Sequence, residues 1–340
     1  MMKKMTLWLV LAVGMVLLLS ACGEKSQEDV MKKMENKMND MSGYKAKAKM
    51  SMKTGQEDQT YSIDIWHKKK DFYRVSLDSD QDKKSNQIIL KNNDGVYVLT
   101  PSLNKSFKFQ TEWPDNSSQP YLFQSLVKDI KKDKDATFKA TDKHYVFQTK
   151  TNYQSNNNLP FQEIYIDKKT YTPVMVKVLD KDKKSLVEVK FQNFDLDPSF
   201  KKKDFVLKDI MTSAVAELPV SKNQDNETDS LTVFFPEFTA GAELAEKQEI
   251  NLADGKRVIM SYTGEKGFTL IQEKKASQET MSYPKQVDGE LVNLGKSIGA
   301  LSDKSLEWTE NGTNYILASE QLTKEELIQV AESVAGKEVK

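Results

Sequence analysis

Ten consecutive residues, Tyr44 to Lys53, constrain what this chain can fold into more than any others. Tyr44, Ala46, Ala48, Met50 and Met52 alternate with Lys45, Lys47, Lys49, Ser51 and Lys53. Alternation with a period of two puts the two sets on opposite sides of an extended backbone. One side is apolar and the other is almost all lysine. A helix would mix the two sets around its circumference. The segment therefore predicts a strand with one face on a core and one face in water. The rest of the chain must supply whatever covers the apolar side.

Much of it repeats the pattern. Tyr61, Ile63 and Ile65 alternate in the same way, Lys68-Lys69-Lys70-Asp71 makes a turn, and Tyr73, Val75 and Leu77 return. Ile88-Ile89-Leu90 leads through Asn93-Asp94-Gly95, a hairpin signal, into Val96-Tyr97-Val98-Leu99. Phe107-Lys108-Phe109, Tyr145-Val146-Phe147 and Ile164-Tyr165-Ile166 read as strands. So do Val174, Val176 and Val178, with Val187, Val189 and Phe191 as their partner. Two stretches have a helical period instead. From Glu28 to Met41 the apolar positions are Val30, Met34, Met38 and Met41, and from Tyr121 to Ile130 they are Leu122, Leu126 and Ile130. Strands at short spacing with few, early helices give an α+β fold that is mainly antiparallel β.

The N-terminus has a different character. Lys3 and Lys4 precede an apolar run from Met5 to Leu19, and Leu19-Ser20-Ala21-Cys22 closes it. The run is too short and too near the start to read as an ordinary spanning helix. The order aliphatic, small, small, cysteine resembles the lipobox of bacterial lipoproteins. That resemblance implies a signal peptide over residues 1–21, cleavage before Cys22 and acylation of its thiol. The protein would then be lipid-anchored to the cell membrane on its extracytoplasmic face, with residues 22–27 as a polar tether. Cys22 is the chain's only cysteine, so acylation leaves no thiol for disulfides, metal sites or nucleophilic chemistry.

Composition narrows the function. The 340 residues carry 50 basic and 50 acidic side chains, a net charge of zero, so no global basic field exists to bind nucleic acid. His67 and His144 are the only histidines, lie in no metal-ligand spacing, and read as surface or edge residues. Asp78, Asp80 and Asp82 lack the glycine and terminal glutamate of a calcium loop, and Glu325 and Glu326 belong to a helix start. No G-x-S-x-G, S-x-x-K or phosphate-binding glycine loop occurs. No catalytic, metal or cofactor-binding residue is expected, and no enzyme.

Three segments carry a family resemblance. They are Ile65-Trp66 with Lys69-Lys70-Asp71-Phe72-Tyr73-Arg74, then Ile88 to Phe109 with Asp94-Gly95-Val96-Tyr97, then Ile164 to Phe205 with Ile166-Asp167, Thr170, Pro173, Asp182 and Val189-x-Phe191-x-x-Phe194. Together they resemble the LolA-like lipoprotein-carrier superfamily, which includes the RseB/MucB stress regulators. More narrowly they resemble its sporulation-associated lipoproteins of Gram-positive bacteria. The resemblance implies an incomplete β-barrel enclosing helices over residues 28–212, holding an apolar ligand such as a lipid, an acyl chain or a lipoprotein segment. Met50, Met52, Ile63, Ile65, Tyr73, Val75 and Leu77 are the candidate cavity walls, with Met34 and Met38 on the plugging helix. The same residues would equally make a dry packed core.

A carrier must move between membranes, whereas an acylated Cys22 stays put. The turn that holds an arginine in the carriers has Lys68-Lys69-Lys70 here. An anchored acceptor, sensor or scaffold follows better than a shuttle. The alternative is a regulatory module of RseB type that contacts an envelope protein or anti-sigma partner.

Residues 213–230 are polar and read as a linker. Beyond them, Leu231 to Phe235, Arg257 to Met260, Phe268 to Ile271, Leu306 to Trp308 and Tyr315 to Leu317 predict strands. Thr323 and Glu326 form a capping box for a last helix, Leu322 can staple Leu327, and Val330 and Val334 continue its apolar face. The Trp308-x-x-Asn311-Gly312-x-x-Tyr315 arrangement resembles the small DUF4367-like domain of envelope lipoproteins, here over residues 231–340.

Overall fold

A computed structural model describes residues 25–53, 58–80, 86–153, 159–216, 231–253, 255–275, 284–287, 289–294, 297–310 and 312–336. The signal peptide expected over 1–21, Cys22 and most of the expected linker lie outside the described residues.

The first half begins with helix α1 (Gln27–Asp40), followed by strands β1 (Gly43–Met52), β2 (Gln59–Lys68), β3 (Phe72–Ser79), β4 (Gln87–Asn92), β5 (Gly95–Thr100) and β6 (Lys105–Phe109). Helix α2 (Phe123–Lys132) separates these from β7 (Thr137–Ala140), β8 (His144–Lys150), β9 (Phe161–Asp167), β10 (Pro173–Leu179) and β11 (Ser185–Leu196), and α3 (Leu207–Ala216) follows. The second half contains β12 (Phe235–Pro236), β13 (Glu243–Leu252), β14 (Gly255–Thr263), β15 (Phe268–Lys275), β16 (Lys285–Val287), β17 (Glu290–Asn293), β18 (Ile298–Leu301), β19 (Ser305–Glu310) and β20 (Thr313–Ala318). Helix α4 (Lys324–Glu332) and β21 (Val334–Gly336) end it.

The larger sheet has twelve strands in the order β16-β6-β5-β4-β3-β2-β1-β11-β10-β9-β8-β7 and does not close on itself. All its pairings are antiparallel except β16 with β6. The alternation in β1 does what it predicts. Tyr44, Ala46, Ala48, Met50 and Met52 are buried, and register pairs Ala46 with Ile65 and Ala48 with Ile63. Ile65 in turn faces Val75, and Ile63 faces Leu77. The concave face thus carries one apolar layer, which α1 and α2 fill with Val30, Met34, Phe123, Leu126, Val127 and Ile130. Helix α1 starts one residue earlier than expected, because Ser26 caps it and exchanges a capping box with Asp29.

The convex face is covered as well, over part of its area. Ile88, Leu90, Tyr97 and Leu99 point outward and pack with Phe205, Ile210 and Met211. β4 and β5 are therefore apolar on both faces, which is why their runs are continuous and not alternating. Helix α3 supplies this cover and runs through residue 216, across the boundary expected at 212–213.

Residues 231–336 form a seven-stranded antiparallel sheet, β13-β14-β15-β20-β19-β18-β17, covered on one face by α4. The capping box of Thr323 and Glu326 is present. The helix ends at Glu332, so Val334 belongs to β21 and does not extend the helical face. Of the strand expected over Leu231–Phe235, only Phe235 is extended in a ladder. This half is stitched to the first by β16, which pairs with β6 of the larger sheet. At the same seam the buried amide of Ile298 donates to Gln87 Oε1 at 2.7 Å.

β13 is an edge strand with no second neighbour in the sheet. From Glu243 to Ile250 every residue is exposed. Its core-side positions, opposite the buried Val258 and Met260, are Glu249 and Lys247. Charges turned inward on an edge discourage pairing with another chain. Replacing Lys247 and Glu249 together by valine is expected to shift the elution profile toward larger, concentration-dependent oligomers than the unsubstituted protein forms, read by size-exclusion chromatography with light scattering. An unchanged profile at high concentration would show that these charges do not guard the edge.

Candidate functional site

The sequence-predicted wall residues come together in one cluster, but most of them are packing. Met34, Ile63, Ile65, Tyr73, Val75 and Leu77 are buried among neighbours on the concave face, and Met38 is partly buried at its rim. Tyr73 stacks on His67 at 4.5 Å and meets Trp113 edge-on at 5.6 Å. Met50 and Met52, at the end of β1, differ from the rest because they line an open space.

That space is a cavity of about 90 Å³ at the seam between the two halves. Met50, Met52, Ile89 and Val187 line it from the larger sheet. Trp113, Ser117, Ser118, Gln119, Pro120 and Tyr121 come from the segment leading into α2, with Tyr153 and Leu159 beside them. Leu291, Val292, Asn293, Ile298, Ile328 and Glu332 come from the C-terminal half. The residues from that half are the part that sequence reasoning missed. They belong to β17, β18 and α4, far along the chain, and no local pattern marks them as facing β1.

The segment before α2 is held by hydrogen bonds, so its cavity wall is preformed. The Gln119 amide donates to Ser125 Oγ at 2.8 Å, and the Tyr121 hydroxyl donates to Gln119 Oε1 at 2.8 Å. The Phe123 amide donates to the Tyr44 hydroxyl at 3.3 Å. Asn152 N–H donates to Ser118 Oγ at 2.7 Å. Ser118 also bonds Asp129, a buried carboxylate on α2 that accepts from Gln162 Nε2 at 2.7 Å. Burial pushes the Asp129 carboxyl above its ordinary range, and these two hydrogen bonds pull it partly back.

Glu332 is the single ionisable carboxyl in the cavity lining. Its side chain is exposed, at the edge of the lining, with Ile328 and Ile298 among the other lining residues. Desolvation there pushes its carboxyl up to about 7. No lysine, arginine or histidine lines the cavity among the described residues. The other titratable groups in its wall are the phenols of Tyr121 and Tyr153, both pushed up by burial.

His67 is not a surface residue. Only 6 % of it is exposed, and its ring lies between Tyr44 and Tyr73. Burial pushes it down to about 4, so at neutral pH it is uncharged and its Nδ1 sits 3.3 Å from the Phe72 carbonyl oxygen. His144 lies at the start of β8, half-buried, edge-on to Tyr165. The described residues contain no group of three or more metal-ligating side chains. No helix among them is long and apolar enough to cross a membrane.

A second hollow, of about 430 Å³, lies along the same seam between β5, β6, β19 and β20. Its charges are paired. Lys285 bonds Glu307 at 2.6 Å, and Glu273 accepts from Arg257 Nε at 2.6 Å.

An open, mainly antiparallel sheet wrapped around two helices makes the first half an incomplete β-barrel enclosing helices. The chain belongs to the YdcC-like sporulation protein family, whose model matches residues 2–205. It is 50% identical over 326 residues to the sporulation protein YdcC of Bacillus subtilis, covering 96% of this chain and 95% of that protein. Among solved structures it is similar to the Pseudomonas aeruginosa MucA/MucB complex, with a TM-score of 0.34 and 11% identity over 92% of this chain and 100% of that chain. It is also similar to the LolA superfamily protein NE2245 of Nitrosomonas europaea, with a TM-score of 0.31 and 8% identity over 54% and 99% of the two chains.

Proposed function

We propose that this protein is a non-catalytic lipoprotein, anchored through Cys22 on the outer face of the cytoplasmic membrane, that binds an apolar ligand during sporulation or other envelope work. The observation that carries the binding part is the seam cavity. Thirteen of its eighteen lining residues are apolar or aromatic, and its polar groups are few. Contact area supplies affinity in such a site, and a few polar groups orient the ligand. About 90 Å³ leaves room for a few methylene groups or one small side chain, with the rest of a longer chain extending through the mouth. Membership of a family of sporulation proteins supports the cellular setting. The lipobox-like Leu19-Ser20-Ala21-Cys22 supports the anchor. A diacyl unit on Cys22 would give the two chains that stable anchoring requires.

The test uses residues 22–340 with Cys22→Ser, expressed in soluble form. Mass spectrometry of the purified protein is expected to find a copurifying lipid, and a fluorescent fatty-acid probe is expected to compete for the site. Val187→Trp, which places an indole in the cavity, should abolish the probe signal. A protein that is reproducibly empty and ignores the probe would sink the ligand reading and leave contact with an envelope protein as the function. The anchor is tested separately, because Cys22→Ser in the full chain should lose incorporation of labelled palmitate.

A further inference from the structure

The polarity of the cavity says more than its size. Its lining holds one carboxyl group, Glu332, and no basic side chain among the described residues. Glu332 sits on the last turn of α4, and no hydrogen-bond or ion-pair partner for its carboxylate is found among the described residues. Other acidic groups of this protein in constrained places do have partners. Asp129 accepts from Gln162, and Glu326 pairs with Lys266. Glu332 is exposed at this mouth, so its carboxylate is open to a cation that enters beside the apolar walls. The rings of Trp113, Tyr121 and Tyr153 line the same space. Aromatic faces attract ammonium groups through their quadrupoles, so they add to the same preference. A carboxylate ligand would meet Glu332 as a like charge and would find no basic group to hold it.

We propose that the seam cavity selects an apolar chain carrying an ammonium group, with the chain between Met50, Met52, Leu291 and Ile298 and the ammonium paired with Glu332. This deepens the apolar-ligand reading above and rests on it. Glu332 then acts as the specificity-determining residue, while the apolar wall supplies contact area.

Three probes of equal chain length separate the two layers of the argument: hexylamine, hexanol and hexanoate. Each is titrated into the Cys22→Ser protein, residues 22–340, at pH 7.5 and followed by NMR shifts of the Met50 and Met52 methyl groups. Hexanol is expected to bind weakly. Hexylamine should bind about tenfold more tightly than hexanoate, the scale of one charge-assisted contact. In Glu332→Gln the preference for hexylamine should fall below about twofold, while hexanol affinity stays unchanged and shows that the cavity is intact. Hexanol binding with no preference for hexylamine, or a preference that survives in Glu332→Gln, would overturn this inference alone. Absence of binding by all three probes would overturn the cavity reading and this inference with it.

Discussion

Truncating Phe123 to alanine is expected to lower the unfolding free energy by about 3–5 kcal/mol, the range for deleting a buried aromatic side chain. Phe123 is the first residue of α2 and is fully buried. Its ring lies edge-on to Phe194 of β11, with centroids 5.8 Å apart and planes at 86°. α2 has no side-chain cap, since Leu122 occupies the N-cap position. The Tyr44 hydroxyl, from β1, takes the Phe123 amide instead. One of the unsatisfied donors at the helix start is thus paired across the barrel and not within the helix. Removing the ring opens a void between α2 and β11 and loosens the hydrogen bonds through which the Tyr44 hydroxyl fixes the start of α2 to β1. Urea denaturation measures the effect as a lower midpoint with an unchanged slope. Phe138→Ala is the control, because Phe138 is only partly buried at the rim and should cost clearly less. A loss below about 1 kcal/mol for Phe123→Ala would mean that α2 is not a structural plug and that the concave face tolerates its displacement.

Much of this architecture is written in β1 to β3, where one covered face produces strict alternation. The parts that escaped have specific causes. Ile88-Ile89-Leu90 and Val96-Tyr97-Val98-Leu99 look like ordinary buried strands, yet their continuity is the trace of α3 on the far side. His67 continues the inward parity of Ile63 and Ile65, and the lysine run after it disguised that parity as a surface turn. β16 is three residues long and pairs with a strand far away in sequence, so no local pattern announces it. The cavity escaped for the same reason. Met50 and Met52 were legible as inward-facing, but the gap beside them depends on where β17, β18 and α4 dock. Periodicity shows which side of a strand is apolar. It does not show whether the opposing surface fills the space, and at the end of β1 and along β5 and β6 it does not.

Gln162→Leu is expected to lower stability by about 2–3 kcal/mol at pH 7.5, and by less at pH 4.5. Gln162 is fully buried on β9, and its Nε2 donates to Asp129 on α2 at 2.7 Å. The pair ties the plugging helix to the sheet beneath the cavity wall. Leucine fits the space but leaves a buried carboxylate with one hydrogen bond fewer. The pH dependence follows from the proton count. Burial already holds the Asp129 carboxyl above its ordinary value, so the folded state binds its proton more tightly than the unfolded state does. Such a group contributes most to stability below the ordinary carboxylate range, and the contribution is lost as pH rises through its folded value. Removing the Gln162 donor raises that folded value further, so the deficit grows with pH.

Gln162 Oε1 has no partner among the described residues, so leucine removes a stranded acceptor together with the donor. Replacing both residues, Asp129→Leu with Gln162→Leu, should recover part of the loss, since two apolar groups in the same space leave no polar atom stranded. The recovery, read as a coupling energy from denaturation of the two single variants and the double variant, should also be larger at pH 7.5 than at pH 4.5. Equal deficits for Gln162→Leu at both pH values would show that Asp129 is not the group strained by the substitution. The anchoring of α2 would then rest on its apolar face and on the Tyr44 contacts at its start.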